Sequence, residues 1–204
     1  MKIVHVITGL NNGGAEGVLY RLVTHDKDNE HIVVSMMDGG KYGPLLKNAG
    51  IKVYCLNMES GKALPQAVLK LLRLLRKINP DIVQTWMYHA DLIGGLVAKL
   101  LRVKKIFWNI RQSNFDSKYT KASTIKVAKI NAKLSSFIPN KIICCAEDAV
   151  SIHKDIGYDK EKMTVIANGY DLNKFKTDIE SCKTIRDELQ IGSNSVIGMV
   201  GRYD

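Results

Sequence analysis

The sequence predicts an α/β fold built on a doubly wound, Rossmann-like parallel sheet, and three observations carry that prediction. Seven short apolar runs recur before residue 168, and they lack the polar alternation of a strand with one wet face. Most are followed by a segment with helical spacing, so strand and helix alternate along the chain. No apolar run approaches the roughly 18 residues needed to cross a bilayer, and 46% hydrophobic with 25% charged residues is an ordinary globular composition.

The elements follow in order. KIVHVI (residues 2–7) reads as a strand, and AEGVLYRLVTHD (15–26) as a helix. HIVVSMM (31–37) is a strand, GPLLKNAG (43–50) a short helix stopped by Gly50, and IKVYCL (51–56) a strand. ALPQAVLKLLRLLRKI (63–78) repeats Leu64, Val68, Leu71, Leu75 and Ile78 at helical spacing. Asn79-Pro80 ends that helix, because proline cannot donate to it and its predecessor avoids helical geometry. DIVQTW (81–86) and KKIFWNI (104–110) are strands around the helix ADLIGGLVAKLLR (90–102), and residues 119–137 form a long helix. KIICCA (141–146), the helix EDAVSIHKDIG (147–157) and the strand MTVIAN (163–168) complete the set.

Residues 1–168 therefore read as one domain. After Asn168 the texture turns polar until SVIGMVGRYD (195–204), where a new apolar strand begins. Residues 169–204 are expected to be a linker followed by a strand that opens a second domain or pairs with the first.

The N-terminal apolar run is too short for a signal peptide, so a cytoplasmic location is expected. Cys55, Cys144, Cys145 and Cys182 show neither C-x-x-C nor metal-ligand spacing, and neighbours Cys144 and Cys145 should point to opposite faces of a strand. Net charge is +10, and its location is informative. Between Leu92 and Ala146 there are eleven Lys and Arg and one acid, Asp116, whereas the rest of the chain is balanced at 19 of each sign. Such a block is either a solvated lysine face or a field that attracts nucleic acid, anionic lipid or phosphorylated substrates. No aromatic platform interleaves it, which argues against nucleic acid.

Ligands of a doubly wound sheet bind at the carboxyl ends of its strands. The candidates are LNNGGAE after the first strand, MYHAD after the fourth, RQSN after the fifth and NGYD after the seventh. Gly13 and Gly14 precede a helix whose free N–H groups could meet an anion or hydroxyl, and the alternative is a plain turn. Asp38 stands near the place of a ribose-binding acid, yet G-x-G-x-x-G is absent, which counts against a nucleotide-dependent oxidoreductase. G-x-x-x-x-G-K-[ST], G-x-S-x-G and H-E-x-x-H are absent too, removing P-loop, nucleophile-elbow and zinc-protease chemistry. His89, beside Trp86 and Tyr88, fits a sugar site with rings to stack and a polar tip, or else the edge of a core. Arg111 supplies a forked donor among amides, and His5 and His153 read as structural.

Taken together, GGAE, QTWMYHADLIGGLVAKL, FWNIRQSN, VIANGYDLNKF and IGMVGR resemble the retaining glycosyltransferases of family 4. The nearest branch makes bacterial O-antigen, capsule and exopolysaccharide. That resemblance implies a GT-B architecture, with this chain as its N-terminal, acceptor-side half, and residues 169–204 leading into a nucleotide-sugar-binding domain. It implies a nucleotide-sugar donor as co-substrate with no further cofactor and no metal, and a glycan or lipid-linked acceptor. It implies that His89 contacts the donor sugar as the catalytic candidate and that Gly13, Gly14 and Arg202 meet donor phosphate. Glu16, Trp86, Tyr88, Arg111 and Asn168 are the candidate substrate contacts. Trp86 stands where many relatives have His, and Ala146 where Ser is common. The fragment alone is expected to be inactive. Lipid-linked acceptors give the basic block a meaning: Lys126, Lys129 and Lys133 share one helix face, opposite Val127, Ile130, Leu134 and Phe137, and are expected to dock on the inner membrane surface. A GT-B sugar epimerase and a membrane-binding module without turnover are the alternatives.

Overall fold

The structure is a computed structural model, and it describes residues 1–58, 64–112, 120–173 and 175–199. The chain divides into two compact units, Met1–Asn168 and Gly169–Asp204.

The first unit holds seven strands: β1 (Lys2–Ile7), β2 (Glu30–Ser35), β3 (Lys52–Cys55), β4 (Ile82–Trp86), β5 (Lys105–Ile110), β6 (Lys141–Cys144) and β7 (Met163–Val165). They form one sheet in the order β3-β2-β1-β4-β5-β6-β7, and every pairing is parallel. The helices between them are α1 (Gly14–His25), α2 (Tyr42–Asn48), α3 (Leu64–Ile78), α4 (Tyr88–Leu100), α5 (Ala122–Leu134) and α6 (Glu147–Asp155). Connections leave β1 towards β2 and β3, then reverse from β4 onwards. With right-handed crossovers, that reversal puts α1 and α2 on one face and α3 to α6 on the other.

The core divides accordingly. Ile7, Val33 and Trp86 pack with Leu10, Leu19 and Leu46 on the α1 face. Val4, Val6 and Val83 pack with Leu71, Leu75, Val97 and Ala98 on the other. The strands are buried on both sides, which is why they read as unbroken apolar runs. Two glycines set the spacing of α4. A Cβ at Gly94 would lie 3.0 Å from Thr85 Cγ2, and one at Gly95 would lie 2.7 Å from Trp108 Nε1. Only a residue without a side chain lets α4 lie this close to β4 and β5.

Two expectations need correcting. The helix read over residues 119–137 ends at Leu134, and the apolar face read on it is not its contact face: Ile130 is 46% exposed, and Phe137, past the helix end, is 70% exposed. Helix α5 packs instead through Ala128, Asn131 and Ala132. Small side chains permit close approach, so the contact face of this helix was not its most apolar one. In the second unit, residues 195–199 form no strand, and the rest of SVIGMVGRYD lies outside the described residues. The polar stretch before it contains an unexpected helix, α7 (Ile179–Glu188), capped by the Asp178 carboxylate, which accepts from the N–H groups of Glu180 and Ser181. No described residue of this unit is buried.

Candidate functional site

β1 and β4 are neighbours, with Ile7 paired to Trp86, yet their chains leave in opposite directions. The carboxyl edge between them is the switch point of the sheet, where a crevice opens between a helix on each face. The glycine loop enters from one side and the start of α4 from the other.

On the first side, Gly13 is the extended N-cap of α1, with no side chain capping it. The loop is braced from below: Tyr42 N–H donates to the Leu10 carbonyl at 2.8 Å, and Lys41 Nζ to Asn12 Oδ1 at 3.1 Å. Gly40 (φ +43°) makes that bracing possible, since a Cβ there would meet the Leu10 carbonyl. Gly14 is exposed and a Cβ on it would meet nothing. Glu16 turns back so that its carboxyl lies against Gly13, is buried, and has its pKa raised by that burial. The chain's own acid therefore shares the start of α1 with any ligand that would approach Gly13.

On the second side, Met87 joins β4 to α4 at φ 71°, ψ 156°, a conformation that residues with a Cβ rarely adopt. Its N–H donates to the Asn109 carbonyl at 3.1 Å, and its carbonyl accepts from Asp91 at 2.9 Å. This sharp turn brings His89 to the crevice one residue into the helix. His89 is half-buried, its pKa lowered by burial, and its ring makes no hydrogen bond with the described residues. Trp86 and Tyr88 point inward instead. Trp86 is fully buried and Tyr88 is 4% exposed. Tyr88 Oη donates to His153 Nε2 at 2.7 Å, because His153 Nδ1 carries the proton it gives to the Ala149 carbonyl at 2.6 Å. The two aromatics predicted to meet substrate directly are thus part of the support beneath the site: strand alternation turned one into the α1-side core, and a buried imidazole claimed the other.

Trp86 nevertheless reaches the site through Arg111. The guanidinium stacks 4.9 Å from the Trp86 ring centre. Arg111 Nη2 donates to Asn109 Oδ1 at 3.1 Å and Nη1 to Asn168 Oδ1 at 2.8 Å. Asn109, fully buried, uses its amide to donate to the Thr85 carbonyl at 3.2 Å, which ties β5 to β4. So the structure brings Arg111 and Asn168 together over Trp86, although 57 residues separate them. Arg202 lies outside the described residues.

Asn109 was not singled out from the sequence, and neither was the chain of rings beneath Trp86. Trp86 Nε1–H donates to His5 Nδ1 at 3.3 Å, so His5 carries its proton on Nε2 and donates to His31 Nδ1 at 2.9 Å. His31 Nε2 lies 3.1 Å from Asp26 Oδ2. Burial, then the nearby His31, pull the His5 pKa down to about 3. The only signal for this chain was strand alternation, which puts His5 on the face of Ile7 and His31 on the face of Val33, both packed with Trp86. On the opposite face, Thr85 Oγ1 hydrogen-bonds Asp91 Oδ1, and burial raises the Asp91 pKa well above the ordinary carboxylate value.

Among the described residues, no group of three or more His, Cys, Asp or Glu could hold a metal ion. Among the described residues, no helix is long and apolar enough to cross a membrane. A shallow depression of about 390 Å³, lined by Arg76, Asn79, Asp81, Arg102 and Lys104 among others, lies at the amino ends of β4 and β5. It is on the wrong edge of a parallel sheet for its ligand.

Residues 12–174 match the family described as Glycosyltransferase Family 4. The chain is 30% identical over 155 residues to the UDP-Gal:alpha-D-GlcNAc-diphosphoundecaprenol alpha-1,3-galactosyltransferase of Escherichia coli, covering 74% of this chain and 39% of that enzyme. HepE of Anabaena, solved in complex with UDP, superposes with a TM-score of 0.78 at 19% identity, over 95% of this chain and 51% of its own. The UDP-N-acetylglucosamine 2-epimerase of Rickettsia bellii superposes at 0.60 and 16% identity, over 94% and 48%. At these identities both structures speak to the fold alone. The chain spans about half of each solved relative and less of the galactosyltransferase.

Proposed function

The chain belongs to glycosyltransferase family 4, and from that premise we propose that it is the acceptor-side half of a retaining enzyme. That enzyme would move a sugar from a nucleotide-sugar to a lipid-linked glycan in surface polysaccharide synthesis. The observation that carries this reading is the convergence of three candidate groups, Gly14, His89 and Arg111, on the carboxyl edge at the switch point.

Each group has a role its surroundings suit. Gly14 offers an open surface against which a donor can lie with no side chain in the way. His89, desolvated and favouring its neutral form, can donate to or accept from a sugar hydroxyl. Arg111 presents a fixed cation. Arg202 belongs to the part that begins after residue 168, and the remaining donor contacts belong to the rest of that part, so residues 1–204 alone should bind weakly and turn nothing over. The electrostatic work is stabilising the departing nucleoside diphosphate as charge develops on it. The E. coli relative's name specifies a diphosphoundecaprenol-linked acceptor, which supports the same class here.

The complete protein, offered UDP-hexoses with a polyprenyl-diphosphate-linked GlcNAc, should transfer labelled sugar with retention at the anomeric carbon. Conversion of UDP-GlcNAc to its 2-epimer without transfer would replace this reading with the epimerase.

The same reading places the protein peripherally at the inner membrane surface. Helices α3, α4 and α5 carry eight Lys and Arg, and their one acid, Asp91, is buried. All eight, including Lys126, Lys129 and Lys133, are exposed. Leu96, Leu100, Ile130 and Phe137 are exposed apolar neighbours in the same helical layer. Anionic lipid attracts such a face by about 1 kcal/mol per nearby Lys or Arg. Co-flotation with anionic liposomes at low salt, lost with neutral ones, is expected; no flotation in either would remove the membrane from the proposal.

A further inference from the structure

Among the described residues, nothing of opposite charge pairs with Arg111. Its guanidinium is partly buried, its pKa is lowered chiefly by that burial, and its Nε is buried with no hydrogen-bond partner. Two carbonyl oxygens of neutral amides and a neutral indole hold it. None of these carries a negative charge, and the ion pairs found among the described residues, His31–Asp26 and Lys52–Glu30, lie elsewhere. Desolvating a cation without a counter-ion costs free energy, so such a group is held for an anion that arrives later.

The arrangement also fixes the geometry. Stacking on Trp86 sets the plane of the fork, and Asn109 and Asn168 each take one terminal nitrogen, setting its rotation. Asn109 is in turn held to β4, and Trp86 to His5. A planar donor fixed in this way suits a phosphoryl group, which it meets with parallel N–H bonds, better than it suits a sugar hydroxyl. The flanking helix α6 begins at Ala146 without a side-chain cap, although Glu147 and Asp148 in its first turn oppose an anion there.

We propose that Arg111, positioned by Trp86, Asn109 and Asn168, is the anchor of a diphosphate-binding site on this half of the protein. The inference rests on the glycosyltransferase reading for its ligand class. Both substrates of that reading carry a diphosphate, the sugar donor and the lipid-linked acceptor, and the site takes that shared chemistry. Trp86 and Asn109 act through Arg111 and are positioning residues.

The test titrates the 204-residue chain at low salt with inorganic pyrophosphate, UDP and geranyl diphosphate, followed by calorimetry and by the Arg111 side-chain resonance. Pyrophosphate should bind and shift that resonance. Arg111→Gln should weaken it about tenfold or more, and Arg111→Lys should fall between, since lysine keeps the charge but loses the fork. Asn168→Ala, at an exposed position, should weaken binding severalfold while leaving the circular dichroism unchanged. A matching loss for UDP assigns the site to the donor, and one for geranyl diphosphate to the acceptor; either supports the proposal. No pyrophosphate binding, or equal binding by Arg111→Gln, overturns it. These outcomes are separable from the function itself. A complete enzyme that transfers sugar while Arg111→Gln keeps its diphosphate affinity fails only this inference, whereas an epimerase with an Arg111-dependent diphosphate site fails only the transferase reading.

Discussion

The two faces of β4 handle buried polar groups in opposite ways. On the α1 face, Trp86, His5, His31 and Asp26 form a chain that begins under Arg111 and ends at an acid whose side chain is 26% exposed. On the α4 face, Thr85 and Asp91 pair within the core, and among the described residues the second Asp91 oxygen is buried without a hydrogen-bond partner. The first arrangement is open-ended. It connects the platform of a candidate ligand-binding cation to Asp26, the C-cap of α1, and so to solvent. The second is sealed, and a sealed carboxyl is stable only when neutral, so its work is to fasten α4 to the sheet. Burial alone therefore does not mark a polar residue as functional; where its hydrogen bonds lead does.

That contrast can be broken or sharpened experimentally, the largest effect first. Trp86→Ala should cost about 3–5 kcal/mol in urea unfolding, since it empties a fully buried site. It should also release Arg111, which a purely structural tryptophan would not do. A loss below 1 kcal/mol would mean that the core on this face collapses around the gap.

Asp91 should respond to chemistry rather than volume. Asp91→Asn, a neutral near-isostere, should cost less than about 1 kcal/mol, whereas Asp91→Ala should cost about 2–3 by removing the Thr85 hydrogen bond and leaving a void. If Asn proves as damaging as Ala, the carboxyl is ionised in the fold.

The open chain should show itself in pH dependence. His5 and His153 have pKa values lowered from the ordinary 6.5, His5 to about 3. The folded state keeps both neutral while the unfolded chain takes up protons. Their contribution is full above pH 6.5 and is lost as pH falls below it, over a window reaching about 3 for His5. Asp91, with its pKa raised, works in the other sense, its contribution being lost as pH rises. On going from pH 7 to pH 5, the urea midpoint of His5→Gln should rise relative to that of the parent protein, because the variant has no buried imidazole at that position to protonate. Parallel slopes would remove His5 from the account.

The smallest effects concern the turns at the crevice. Met87→Gly relieves the positive φ and should leave stability unchanged or raised by up to about 1 kcal/mol, while Met87→Val should lower it. Gly14→Val should change stability by less than about 0.5 kcal/mol, because its Cβ would stand in open space. Under the proposed function, the same change abolishes transfer by the complete enzyme. Full activity there would mean that no ligand approaches Gly14.

Much of the fold was legible because parallel strands announce themselves. KIVHVI coincides with β1, and the boundaries of β4 and β5 lie within a residue of those read from DIVQTW and KKIFWNI. Helix α5 was legible as a helix but not in its orientation, because Ala128 and Ala132 carry little hydrophobicity and yet are among its buried residues. Helix α7 was missed since it has no buried face to print a period on the sequence. At the site, the carboxyl-edge segments could be listed from strand ends, but not which side chains would look outward. Trp86 and Tyr88 stand beside His89 in sequence, yet both turn inward.

The order of residues along the chain carries the alternation of strands and helices, the concentration of positive charge between Leu92 and Ala146, and the family motifs. All of these are local patterns or sums over neighbours, and they need no long-range contact to be read. Tertiary structure alone decided that His5, His31 and Trp86 share one hydrogen-bonded chain, and that Glu16 occupies the helix end above Gly13. It alone decided that Arg111 rests on Trp86 between two asparagines, with no counter-ion among the described residues. Each depends on which strands are neighbours and which face a side chain takes, and a pairing between residues as far apart as His5 and Trp86 leaves no mark on the residues between them.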